Sequence, residues 1–225
     1  VITVVAFASL ALFGGRVGDG NGLFAQGMGR RMPIRDPGMD APPPQRQERA
    51  YRSPFDLAFS PDGSMLAVSD RTAGYLYTLD AQTGDLSRTV RLRGKPSALA
   101  WGSAEKVFVC EYDAGTVAEV NVRTGEILRR FFVGPKPIGL AAAPKRGILV
   151  VCDHGLNTIS IVDTATGSQQ TLISGGNHPY SVAITPDERM AVVANLLPTG
   201  PAVEHTSTSV LTLIDLDKSK RIAEV

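Results

Sequence analysis

Neither sign of charge is in excess: 23 Lys and Arg face 22 Asp and Glu over 225 residues, a net charge of +1. A balance this even produces no whole-molecule field, which argues against nucleic acid and against an acidic partner. Cysteine is nearly missing, with two in the chain, so at most one bridge could form. No stretch of ten or more residues repeats its apolar positions at helical spacing, which removes helix bundles and helix-covered sheets. No apolar run reaches the roughly 18 residues of a membrane-spanning helix. Gly-x-Ser-x-Gly, His-Glu-x-x-His, a phosphate-binding glycine loop and Cys-x-x-Cys-His are all absent. The chain therefore carries no assembled signature of a hydrolase, a zinc peptidase, a nucleotide-binding enzyme or a c-type cytochrome.

What the chain does have is repetition. Ser-Pro-Phe-Asp-Leu-Ala-Phe (53–59), Pro-Ser-Ala-Leu-Ala-Trp (96–101), Pro-Ile-Gly-Leu-Ala-Ala (137–142) and Pro-Tyr-Ser-Val-Ala-Ile (179–184) align, with leading prolines at 54, 96, 137 and 179. A second landmark, an Asp or Asn closing an apolar run, recurs as Asp80, Asn121, Asp163 and Asp215. The last interval is longer because the fourth unit holds an insertion around 196–205. Each unit contains four short apolar runs separated by turn residues; in the first unit they predict strands at 56–59, 65–69, 75–79 and 87–92. Ser60-Pro61-Asp62-Gly63 and Gln82-Thr83-Gly84-Asp85 stand between them, with proline presetting φ and glycine accepting positive φ. A repeat of forty-odd residues holding four strands and no helix predicts a propeller blade, whose sheet buries its faces by stacking on its neighbours. Ala58, Ala100, Ala141 and Ala183 align in the first strand, which is expected to crowd the central axis. The fold class is thus all-β, a β-propeller of four-stranded blades spanning 53–95, 96–136, 137–178 and 179–225.

The WD type is excluded because its Gly-His and Trp-Asp pairs are missing. The quinone-dehydrogenase type carries a tryptophan shortly after Thr-Gly, where this chain has Leu86-Ser87, Ile127-Leu128 and Gln169-Gln170. Ser60-Pro61-Asp62-Gly63, Thr185-Pro186-Asp187, Val192-Val193-Ala194-Asn195 and Ile161-Val162-Asp163-Thr164-Ala165-Thr166-Gly167 together resemble the YVTN family of bacterial β-propellers. The resemblance covers 53–225. It implies about seven blades in the intact protein, so that the four repeats here are expected to be part of a larger propeller. The family motif is structural and hands no catalytic role to any residue. Drift is visible at Gly102-Ser103-Ala104, Pro144-Lys145-Arg146 and Lys218-Ser219, where the turn sequences depart from the pattern.

Residues 1–13 are uncharged and fit the core of a signal peptide, with 1–25 as the whole segment and the start cut away; this predicts a periplasmic, cell-surface or secreted protein with no membrane span after removal of the signal. Residues 26–52 hold five prolines and six arginines against three acids, the composition of an extended linker. Cys110 and Cys152 occupy the same position in adjacent blades. Sheets stack about 10 Å apart while a disulfide needs Cα atoms within about 7 Å, so two free buried thiols are expected.

Loops after the second and fourth strands share the face of a propeller where ligands bind. The ends of the second strands supply Asp70, Glu111, Asp153 and Asn195, and the loops that enter each new blade supply Lys95, Lys136 and His178. His154, His178 and His205 map to the same face, as do Leu196 and Leu197 in the insertion. These residues are the ligand-binding candidates; the simpler reading makes the charged ones turn closures and interblade pairs. Histidine spacing matches no ligand motif, so no metal and no cofactor is expected in this chain. The function expected is a non-catalytic extracytoplasmic scaffold that binds a protein or small ligand on the loop face of blades 3 and 4. An alternative rests on the phrase 177–187 followed by Ala194-Asn195-Leu196-Leu197-Pro198. It resembles multidomain redox proteins, which implies a cytochrome c or di-haem peroxidase-like domain with its haem beyond Val225. A propeller lactonase is a weaker third reading.

Overall fold

The computed structural model describes residues 52–198 and 208–225, all within the unit Glu48–Val225. The predicted leader and most of the predicted linker lie outside these residues, as does His205. Sixteen strands form four antiparallel sheets, each made of four consecutive strands. Blade 1 is β1 (Pro54–Phe59), β2 (Met65–Asp70), β3 (Tyr75–Asp80) and β4 (Leu86–Arg91); blade 2 is β5 (Pro96–Ser103), β6 (Lys106–Glu111), β7 (Thr116–Asn121) and β8 (Ile127–Phe132). Blade 3 is β9 (Pro137–Ala143), β10 (Ile148–Asp153), β11 (Thr158–Asp163) and β12 (Gln169–Ser174); blade 4 is β13 (Pro179–Ile184), β14 (Met190–Asn195), β15 (Leu211–Asp215) and β16 (Lys220–Glu224). No helix occurs among the described residues.

The turns form for the reasons their residue types suggest. Ser60 Oγ donates to Asp62 Oδ1 at 2.6 Å and receives the Met65 amide at 2.9 Å, while Gly63 sits at φ 72°. The carboxylate of Asp80 accepts the amides of Gln82 and Thr83, and Asn121 and Asp163 repeat the pattern with the two residues that follow. Where blade 4 lacks the glycine, Ser219 takes its left-handed backbone at φ 50° and Asp215 accepts the Lys218 amide. The motif therefore survives its sequence drift, because the capping carboxylate is retained.

No strand pairing links one sheet to the next; the blades are held by side-chain stacks. Leu76, Val90 and Ala67 of blade 1 meet Trp101, Val107 and Val109 of blade 2. Phe108, Cys110 and Phe131 meet Leu140, Leu149 and Val151 of blade 3, and Val150, Cys152 and Ile161 meet Ala191, Val193 and Ile214 of blade 4. Both cysteines are free and buried, with desolvation pushing each thiol upward. Blades 2 and 3 are thus covered on both faces. On blade 1, Leu57 and Phe59 remain 54% and 58% exposed, and every residue of β16 in blade 4 is exposed.

The inner strands pack in chain order, β1 on β5, β5 on β9 and β9 on β13. The aligned alanines are half-buried or, at Ala183, exposed. A close approach between inner strands falls two residues before Ala141, at Gly139. A Cβ there would lie 2.5 Å from the Tyr180 carbonyl oxygen and 3.1 Å from Cys152 Sγ. The obstacle is backbone, so it cannot rotate away. Gly139→Ala is expected to lower stability by about 1–3 kcal/mol, the usual range for overpacking. Ser181→Ala, at the same register in blade 4 but exposed, should stay within about 0.5 kcal/mol of the parent. Thermal unfolding of both variants checks this, and equal effects would contradict it.

Candidate functional site

One face gathers the loops that follow β2, β6, β10 and β14 with those that enter β5, β9 and β13. A repeated backbone bond ties the two sets: the amides of Arg71, Tyr112, His154 and Leu196 donate to the carbonyls of Ser53, Lys95, Lys136 and His178. The residue after each second strand is thereby fixed at an equivalent place in every blade.

The strand-end residues singled out from the sequence close these loops from below. Asp70 Oδ1 accepts the amides of Ser53, Thr72 and Ala73 at 3.0, 3.1 and 2.9 Å. Glu111 accepts the Arg93 amide at 2.7 Å, the Thr116 hydroxyl at 2.6 Å and Arg130 through two nitrogens at 2.8 and 3.2 Å. Asn195 donates to the Val210 carbonyl and to Thr212 Oγ1. Asp153 Oδ2 accepts from the Ser160 hydroxyl, while its Oδ1 is buried without a partner. Desolvation raises Asp153 to about 7, against the opposing pull of Ser160 and the Gly134 backbone. Asp70, Glu111, Asp153 and Asn195 are all buried, so none of them lies open at the surface.

The entering loops supply Lys95, Lys136 and His178. Lys95 meets Asp113 at 3.8 Å, both side chains being about half exposed, a pair of small energetic weight. Lys136 and His178 both adopt left-handed backbone, at φ 57° and 59°. His178 is held there by its amide, which donates to Asn157 Oδ1 at 3.0 Å.

Above this layer sit residues that the repeat alignment places one position further on. Arg71 lies over two rings, 4.9 Å from the centroid of Phe55 and 4.3 Å from that of Tyr112. His154 and His178 stack with ring centroids 4.5 Å apart and His178 Nδ1 3.1 Å from His154 Nε2. Burial lowers the pKa of His154, and the charges of His178, Lys136 and Arg71 lower it further. Phe55, Tyr112 and Tyr180 pack against the same apolar cluster. The insertion of blade 4 is stitched to this mouth, because the Leu197 amide donates to the Asn177 carbonyl and Asn177 Nδ2 to the Pro198 carbonyl. Leu196 and Leu197 remain 54% and 42% exposed beside it. Arg71 and Tyr112 were not anticipated. The signal was available, since each directly follows an aligned strand-end acid, but their types differ and no motif marks them.

Among the described residues no three His, Cys, Asp or Glu side chains gather as a metal site. A cavity of about 290 Å³ opens on the opposite face between blades 2 and 3 and is lined in part by Lys106, Phe108, Glu119 and Arg129. Glu119 fills its polar side and is paired with both cations, and Arg129 also donates to the carbonyls of Thr164 and Ala165. It is a cross-blade brace.

Two solved structures share this arrangement. Hydrazine synthase of Kuenenia stuttgartiensis superposes with a TM-score of 0.69 over 79% of this chain and 51% of its own, at 23% identity. A chain of the mitotic checkpoint complex does so with a TM-score of 0.65 over 77% and 51%, at 16% identity. The fold is a β-propeller. No protein-family model matches the propeller sequence. A human relative, the U3 small nucleolar RNA-associated protein 18 homolog, is 28% identical over 131 residues, which is 57% of this chain and 23% of the relative. The chain thus spans about half the length of its structural neighbours and under a quarter of that relative.

Proposed function

We propose that the propeller is a non-catalytic binding scaffold outside the cytoplasm, and that it takes a protein or small ligand at the mouth formed by Arg71, Tyr112, His154, His178, Leu196 and Leu197. One observation carries this reading. The strand-end side chains of Asp70, Glu111 and Asn195 are consumed in closing the loops and that of Asp153 is buried beneath them, whereas the next residue of each blade has no such duty and differs chemically from blade to blade. A rigid frame bearing varied side chains at equivalent positions is how a repeat scaffold builds a recognition surface. The two half-exposed leucines of the insertion add apolar area next to the polar mouth. The uncharged segment 1–13 supports the location.

The test is a panel of neutral, cationic and anionic compounds and candidate peptides, followed by NMR on the full chain. Binders should perturb Tyr112, His154, His178 and Leu196, and Leu196→Asp together with Leu197→Asp should weaken peptide binding at least tenfold. Binders that perturb only the residues around Lys106 and Arg129 would move the site to the opposite face and refute the reading. Fractionation of the host checks the location, with cytoplasmic recovery counting against it.

A further inference from the structure

Arg71, Arg93 and Lys136 have no salt bridge among the described residues. Among the described residues of these loops the exposed acid, Asp113, is next to Lys95. Asp70 is committed to three amides and Glu111 to Arg130, Thr116 and the Arg93 amide. Asp153, directly below His154, is raised to about 7 by burial and so offsets little positive charge at pH 6 and below. Among the described residues the mouth therefore holds Arg71, Arg93 and Lys136 without a carboxylate partner, beside two imidazoles, with His154 Nδ1 buried and lacking a well-formed hydrogen bond.

Two kinds of ligand could use the imidazole pair. A nitrogen separation of 3.1 Å is short enough for both rings to hold one metal ion. Two donors fall short of a closed metal site, however, and no third joins them among the described residues. The charge on Lys136 and Arg71 that already opposes protonation of His154 would oppose a metal ion as well. The same field attracts an anion, and a planar guanidinium matches the paired oxygens of a carboxylate or phosphate.

We propose that the mouth binds a small oxyanion group, a carboxylate or a phosphate, seated between the Arg71 guanidinium and the His154–His178 pair with the rings of Phe55 and Tyr112 holding the guanidinium in place. This rests on the binding-face reading and names the chemistry of its ligand. An anion in that position favours the charged form of the imidazoles, so binding and protonation reinforce each other.

The experiment follows the histidine Cε1–H resonances of the full chain during titration with sodium phosphate and, separately, sodium succinate, at ionic strength fixed with sodium chloride. At pH 6 two of the three histidines should shift saturably, with their pKa values rising by about one unit and affinity about tenfold higher than at pH 8. Arg71→Gln should reduce affinity about tenfold, whereas Lys106→Gln on the opposite face should leave it unchanged. A response to phosphate alone assigns a phosphate ligand, a response to succinate alone a carboxylate, and a response to both a general oxyanion site. His178→Asn, whose asparagine accepts left-handed backbone, should retain the fold and lose the response. The proposal fails if neither anion exceeds the chloride control, or if Arg71→Gln responds like the parent. A neutral or cationic compound that moves the same resonances when the anions do not would overturn the oxyanion assignment and leave the binding face standing.

Discussion

Replacing Glu111 by alanine is expected to cost about 3–5 kcal/mol, the range for removing one partner of a buried ion pair. The size follows from what would be stranded. Glu111 is fully buried, and Arg130, with only 22% of its side chain exposed, directs two nitrogens at it. The Thr116 hydroxyl and the Arg93 amide lose their acceptor in the same step. Because the loop entering β5, the start of β7 and the middle of β8 all meet at this carboxylate, the loss is not confined to one pair. Glu119 provides the control within the same blade. Its carboxylate is nearly as buried, but its partners Lys106 and Arg129 are 46% and 38% exposed and regain water when it is removed. Glu119→Ala should therefore cost about 1–2 kcal/mol. Urea unfolding measures both as a fall in midpoint at unchanged slope. Equal losses would show that burial of the partner is not what sets the scale.

The frame of this protein was legible because its signal is repeated four times. Strands expected at 65–69 and 75–79 are observed as Met65–Asp70 and Tyr75–Asp80, and the turns expected at Ser60 and Gln82 form with the capping bonds their residue types allow. The two thiols are free because stacked sheets stay too far apart for a bridge. One close approach between inner strands carried no sequence signal. Gly139 meets the Tyr180 backbone between one particular pair of blades, so it does not recur in the repeat as the aligned alanines do. Legibility of the site divides in the same way. Strand-end polar residues align in every unit and were found, yet alignment is what turn closure demands, and the structure uses Asp70, Glu111 and Asn195 for that. Arg71 and Tyr112 repeat nothing and so carry no periodic signal. The contact between His154 and His178 joins residues of adjacent blades and becomes visible only when the two loops are placed side by side.

Changing Asp153 to asparagine should remove most of this protein's loss of stability as pH rises from about 4 to 7. Burial raises Asp153 from its usual 3.8 to about 7. A carboxyl whose folded pKa lies above its unfolded value contributes stability that is fully present below 3.8 and is lost as pH rises toward 7. At 1.36 kcal/mol per pH unit the loss is on the order of 4 kcal/mol. Asp56, also raised chiefly by burial, acts in the same direction. His154 opposes them: its pKa is lowered, so its contribution is complete above about 6.5 and declines as pH falls below that value. Asp62, Asp80, Asp187 and Asp215 are lowered by their turn bonds and act only below 3.8. Asparagine reproduces the neutral form of Asp153, with an oxygen that still accepts from Ser160, and it has no charge to bury. The variant should match the parent near pH 4, exceed it by several kcal/mol at pH 8 and, between pH 4.5 and 7, lose much less stability with rising pH than the parent, since only the opposed contributions of Asp56 and His154 remain there. Chemical denaturation of the two proteins at matched pH isolates the difference, because contributions from distant groups cancel. A variant less stable than the parent at pH 8 would mean that Asp153 is held as a carboxylate by contacts that outweigh its desolvation.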